Sequence, residues 1–176
     1  MFKDFNISPF KKNKPPVDSG YTTRTEINEL KKIPLNKSFV KKNDNIEAAF
    51  KKTAEDNNIK DYDKNIAAKL IKDSAPVILE LKKYHDRPRP YELDKNLKHF
   101  KMKSMETSSY PSGHSVQGIL VAKVLGDKHP KAKSAFAKTG ENISYSRRVA
   151  RAHYKSDSKV GEELGNSMYK HIKNKI

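Results

Sequence analysis

An all-α fold, a compact bundle of about six or seven helices, is what this sequence predicts. Three observations lead there. Apolar residues return at helical spacing along most of the chain, alternating β-branched runs are nearly absent, and 176 residues without an internal repeat suit one core better than two.

The first forty residues hold Pro9, Pro15, Pro16 and Pro34 with Gly20 among basic and polar neighbours. That is the composition of an arm lying over something else, interrupted by one short helix, Thr25 to Lys32. Residues 1–40 are therefore read as an N-terminal arm packing on the core, and residues 41–176 as a single helical domain. From Asn43 onward Ile46, Ala49 and Phe50 repeat at helical spacing, and Ile66, Ala67, Leu70 and Ile71 do so one segment later. Ala75-Pro76 then sits where a first helical turn tolerates proline. Val77, Ile78 and Leu81 follow, and the Arg87-Pro88-Arg89-Pro90 stretch forces extended backbone that ends this helix near Tyr84. Tyr91 to Tyr110 reads as a loop with one helical turn around Asp94 to Lys98. Ser112 and Gly113 precede Val116, Ile119, Leu120 and Val124 on one helical face. A further helix is predicted from about Pro130 to Tyr154, and a last one carries Val160, Leu164, Met168 and Ile172.

With 37 Lys and Arg against 21 Asp and Glu, the formal net charge is +16, so anions are the natural ligands, phosphate in some form first among them. The absence of cysteine removes disulfide frameworks, thiolate nucleophiles, iron–sulfur clusters and Cys-ligated zinc. The stretch Met1 to Pro16 has no apolar run of the kind a secretory signal needs, and Val116 to Gly126, the most apolar stretch, is interrupted by Gln117 and Lys123. The expectation is a soluble protein without membrane spans, cytoplasmic as written.

Three stretches concentrate reactive residue types. Lys82 and Arg89-Pro90 taken alone are as consistent with solvated surface as with a site in so basic a chain. Pro111-Ser112-Gly113-His114 opens a helix, and an N-cap there needs no function. The same cap nevertheless aims unpaired N–H groups and the positive end of the helix dipole at one point, a ready oxyanion site, with His114 beside it. In the third stretch, Ser146-Arg147 precedes His153 and Asp157. At i and i+4 on a helix these two share a face, so the carboxylate can accept Nδ1–H and leave Nε2 deprotonated. Arg147 adds a planar cation with bidentate phosphate geometry.

In this order, Lys82 with Arg89-Pro90, Pro111-Ser112-Gly113-His114, and Ser146-Arg147 with His153 and Asp157 resembles the three-part motif of the type 2 phosphatidic acid phosphatase superfamily, at all eleven defining positions. That superfamily includes soluble bacterial class A nonspecific acid phosphatases, membrane-embedded lipid phosphatases and vanadium-dependent haloperoxidases. Leu30 to Ala54, with Ile33-Pro34, Ser38-Phe39 and Asn43-Asp44, and the Ser108-Ser109-Tyr110 context make the class A acid phosphatases the nearest likeness. Those enzymes are typically exported and somewhat larger.

The resemblance implies an acid phosphatase-like fold and a metal-independent phosphomonoesterase working through a phosphohistidine. His153 is then the nucleophile, Asp157 its orienting acid, and His114 the general acid and base. Lys82, Arg89, Ser112, Gly113 and Arg147 hold the phosphate. No metal and no cofactor are called for. The partner is a small phosphorylated substrate, phosphate and vanadate are the expected inhibitors, and the net charge implies nonspecific attraction to polyanions. Two other readings stand beside it: a vanadium-dependent haloperoxidase using the same cage, and a basic nucleic-acid-binding helical protein without a recognisable nucleic-acid fold signal. Oligomeric state is not encoded.

Overall fold

In a computed structural model of the chain, which describes residues 1–175, the described residues form nine α-helices and two 3-10 turns, with no strand. The helices are α1 (Ser8–Lys12), α2 (Tyr21–Lys32), α3 (Lys37–Asp44), α4 (Ile46–Asp56), α5 (Lys64–His85), α6 (Pro90–Leu93), α7 (Gly113–Lys128), α8 (Lys133–Val149) and α9 (Lys155–Ile172). The all-α class stands, with more helices than the six or seven predicted.

The extra elements come from local capping. Asn36 and Asn45 each accept an N–H from the first turn that follows, at 3.0 Å from Phe39 N and Ala48 N, so the region around Asn43 makes two helices, α3 and α4, rather than one. A single turn forms at Asp94 to Leu97, where Leu97 N donates to the Asp94 carbonyl at 3.1 Å, and an unpredicted short helix, α6, precedes it because Pro90 occupies its first position and Glu92 reaches back to Arg89 N at 2.6 Å.

Two predicted helices are instead one. Pro76 lies inside α5, whose residues Leu70, Ser74, Val77, Ile78 and Leu81 are all buried along one face. The turn before the proline is stitched by Gln117 Nε2 and Ser74 Oγ, which both donate to the Ile71 carbonyl, at 3.1 and 3.0 Å. The helix predicted to run to Tyr154 stops at Val149, because Arg151 takes a left-handed conformation, φ 57°, that no α-helix continues through.

α7 is the central helix, packed by α8, α9 and α5, and buried on most of its circumference from Ser115 to Gly126. Phe50, Leu81, Leu120, Leu125, Phe136 and Leu164 fill the main core around it. Phe2 is also buried there, with Phe5, Ile7 and Phe10 packed against the same core. A smaller apolar cluster, Val40, Met105, Val149, Ala150 and Ala152, joins α3, the 3-10 turn at Met105 and the end of α8 with the link after it.

One close approach sets the site. A Cβ at Gly161 of α9 would stand 2.6 Å from the Ser112 carbonyl, and one at Gly165 2.5 Å from that of Val116. Only glycine lets α9 lie this near α7. The approach brings Ser112 N–H to the Asp157 carbonyl at 3.1 Å, joining the second and third motif segments.

Candidate active site

Five segments converge on one buried point. The last turns of α5 bring Lys82, the extended link to α6 brings Arg87 and Arg89, the start of α7 brings Ser112, Gly113 and His114, the last turn of α8 brings Ser146 and Arg147, and the link into α9 brings His153 ahead of Asp157. The motif residues named from the sequence therefore meet in space.

The His153–Asp157 pair forms, but not on a helix. His153 lies in the link before Tyr154, whose extended backbone (ψ 159°) is the N-cap of α9, and Asp157 is the third residue of that helix. Asp157 turns back, so that Oδ2 accepts from Tyr154 N at 3.1 Å and from His153 Nδ1 at 3.0 Å. On its other edge Arg89 Nη1 stands 3.0 Å from His153 Nε2. A carboxylate here accepts and a guanidinium only donates, so the proton is on Nδ1 and the lone pair on Nε2. Burial, followed by the charges of Arg89, Lys82 and Arg147, holds the His153 imidazole well below its ordinary range, and the ring is neutral.

Asp157 also receives Arg87 Nη1 on Oδ1 at 2.8 Å and the Ser109 hydroxyl on Oδ2. Burial pushes this carboxyl up while Arg87 and Ser109 pull it down; with four donors in place it has the coordination of an ionised group. Arg87 is gripped in turn by Ser156 Oγ at 2.7 Å and lies over the Tyr154 ring at 3.7 Å. Glu26 of α2 accepts from Ser156 N and Oγ and stands 3.5 Å from Arg87.

The point is strongly cationic. Lys82, Arg87, Arg89 and Arg147 are buried there, against the buried carboxylates Asp157 and Glu26. Lys82 donates to the carbonyls of Ser108 and Ser109, and burial together with nearby Arg89 brings its ammonium down to about 7. Arg89 spends its other donors on the carbonyls of Thr107, Ser104 and Ala152, at 2.9, 2.9 and 3.0 Å. Arg147 donates from Nε to Ser146 Oγ and from Nη1 to Asp44, but its buried Nη2 has no partner among the described residues. A buried guanidinium nitrogen left open beside other buried cations is a donor set up for an anion.

Asp44, at the end of α3, was no part of the predicted site. Its carboxylate takes Arg147 Nη1 at 2.9 Å and its carbonyl accepts His114 Nε2 at 2.9 Å. That bond leaves Nδ1 as the nitrogen of His114 free to exchange a proton. Burial, then Arg147, lowers the His114 imidazole to about 4. Arg87, Glu26 and Ser109 were also missed as site residues. The doubled Arg-Pro was a signal for Arg87; nothing near Glu26 in the sequence points to it. The remaining histidines stand elsewhere: His85 on the Phe10 carbonyl, His99 stacked on Tyr91, His129 near Asp61 and His171 near Asp4.

His114 makes folding sensitive to acid. The unfolded chain binds a proton at an ordinary imidazole near pH 6.5, and the folded chain does so only near pH 4, so between these values the unfolded state holds more protons and stability falls as pH falls. His114→Asn is expected to lose less stability than the parent between pH 7 and pH 4.5, by on the order of 2 kcal/mol, in urea titrations at the two pH values. Parallel losses in the two proteins would show that the ring is not held neutral.

Two curated proteins are similar to part of the chain. The non-specific acid phosphatase of Salmonella typhimurium is 33% identical over 93 residues, covering 48% of this chain and 35% of that protein. Its counterpart in Salmonella typhi is 32% identical over 93 residues, with the same coverage. The chain is thus similar to non-specific acid phosphatases over part of its length. It spans about a third of the length of the curated relatives it matches. No protein-family model matches it.

Among solved structures, the first transmembrane PAP2 type phosphatidylglycerolphosphate phosphatase, from Bacillus subtilis, shares the fold, with a TM-score of 0.62, 15% identity, and coverage of 99% of this chain and 96% of the other. This overturns the expected cytoplasmic address. The same fold serves a protein described as transmembrane, so neither charge nor the lack of a signal-like run assigns a compartment. Among the described residues no helix is long and apolar enough to cross a membrane.

Proposed function

We propose that this chain belongs to the type 2 phosphatidic acid phosphatase superfamily and is a phosphomonoesterase that transfers the phosphoryl group to His153 and then to water. The observation that carries the reading is the His153 ring, neutral, with Nδ1–H held by Asp157 and its Nε2 lone pair turned to Arg89 among the buried cations. The reading also takes residues 1–40 as an arm over a phosphatase unit of residues 41–176.

An arriving phosphate monoester brings negative oxygens to the open Nη2 of Arg147, to Lys82 and to the first-turn N–H groups of α7 beside Ser112 and Gly113. Arg89, released from Nε2, turns its N–H to the phosphoryl oxygens. Nε2 attacks phosphorus, the N–P bond forms, and the bond to the leaving oxygen breaks. His114, raised by the dianion and donating from Nδ1, protonates that oxygen; the same nitrogen then takes a proton from the water that cleaves the phosphohistidine. Asp157 stabilises the imidazolium without itself taking the proton. These steps use the chain's own cations and call for no metal.

The test is turnover of a chromogenic phosphomonoester. Activity is expected to persist with chelator and to be inhibited competitively by phosphate and vanadate. Arg147→Ala should lose about 2 to 4 kcal/mol in kcat/KM, the scale of one oxyanion donor, while Lys128→Ala, on the surface, leaves it unchanged. Equal losses from both would mean that net charge, not the site, carries activity, and a chelator-sensitive rate restored by a divalent ion would sink the mechanism.

A further inference from the structure

A row of hydroxyl groups runs from Ser112 to Glu162, at a groove between α7, α8 and α9. Ser112 Oγ lies 2.9 Å from Ser115 Oγ, Ser115 Oγ lies 2.7 Å from Ser144 Oγ, and Ser144 Oγ lies 2.6 Å from Glu162 Oε1. The three serines are buried and come from α7 and α8; Glu162, half-buried on α9, opens into a groove lined by Lys123 of α7, Lys133 and Glu141 of α8, and Asn166. Nothing in the motif uses Ser115, Ser144 or Glu162.

Each hydroxyl has one proton, so the row has only two consistent directions. When Glu162 is ionised it can only accept. Ser144 must then donate to it, Ser115 to Ser144, and Ser112 to Ser115, which leaves Ser112 with lone pairs facing the cage. When Glu162 takes a proton from solvent it donates to Ser144, and the row reverses by rotation of three hydroxyls, with no covalent bond broken. Ser112 is then free to donate to a phosphate oxygen. We propose that Glu162 is a remote positioning residue whose protonation, passed through Ser144 and Ser115, sets whether Ser112 is a donor to the bound phosphate. The proposal rests on the assignment of Ser112 to phosphate made above.

The experiment is binding of inorganic phosphate, followed by calorimetry from pH 4.5 to pH 8, to the parent protein and to Glu162→Gln. The glutamine amide can donate to Ser144 at every pH, so the variant is expected to bind phosphate about tenfold more tightly than the parent at pH 8, the worth of one charge-assisted hydrogen bond, and to converge with it in acid. Taking the ratio of the two proteins cancels the titration of phosphate itself and of the histidines. Removal of a negative charge could strengthen anion binding through space. Ser144→Ala separates the two causes, since it cuts the row and leaves the charge: in that background Glu162→Gln is expected to change nothing. A gain that survives Ser144→Ala, or pH profiles that stay parallel, overturns the proposal. A parent protein that binds no phosphate at any pH overturns the cage assignment itself, and the proposal with it.

Discussion

His153→Ala is expected to be inactive toward every phosphomonoester, because the proposed reaction carries the phosphoryl group on its Nε2. His153 is buried, its Nδ1–H is fixed by Asp157, and its Nε2 touches only Arg89. The loss should reach the background rate, with folding retained. His114→Ala should behave differently. A general acid matters in proportion to the basicity of the leaving group, so an alkyl phosphate should suffer far more than an aryl phosphate. With the aryl ester the first step continues, and the water-activating step does not, so a phosphoryl adduct on His153 should accumulate and be visible by intact-mass measurement after an acid-free quench. If His114→Ala is equally dead with both esters and shows no adduct, His114 serves only to bind phosphate.

Arg87→Met should be the most damaging single change to stability, at about 3 to 5 kcal/mol, measured by urea unfolding. Arg87 is buried and is the direct ionic partner of Asp157 at 2.8 Å; without it Asp157 is left ionised in the interior and Glu26 loses a neighbouring cation. Desolvation makes the broken pair costly even though an intact buried pair contributes little net stability. Arg87→Lys keeps the charge but lacks the fork that reaches Asp157 and Ser156 together, so it should recover only part of the loss. An Arg87→Met protein as stable as the parent would mean that Asp157 is held by its neutral donors alone.

Much of the helical layout was legible because it is local. Residues three and four apart share a face, so Val116, Leu120 and Val124 announced α7, and Val160, Leu164, Met168 and Ile172 announced α9, from spacing alone. Ser112 announced the start of α7 through its side chain, which accepts Ser115 N. Helix ends were read less well. Asn45 splits α3 from α4, and Arg151 stops α8, yet asparagine and arginine also occur within helices, so neither is a dependable punctuation mark. Pro76 misled in the other direction, since a partner from α7, Gln117, stitches the turn that the proline loosens.

By itself, then, the sequence determined the all-α class, the face each long helix buries, and the set of groups that meet at the site: Lys82, Arg89 and Arg147, two histidines and Asp157. Tertiary structure alone decided which group holds which. Arg147 meets Asp44 across 103 positions, Ser156 meets Glu26 across 130, and Arg87 meets Asp157 across 70. It also placed His153 off the helix while keeping its bond to Asp157, and lined up three serines from two helices with Glu162 of a third. The physical reason is range. Helical periodicity and caps are settled by neighbours within a turn, whereas a hydrogen bond needs two atoms near 3 Å and in line, and for residues this far apart that depends on how closely whole helices pack. Here that closeness rests on Gly161 and Gly165, which let α9 press against α7 and carry Asp157 to Ser112.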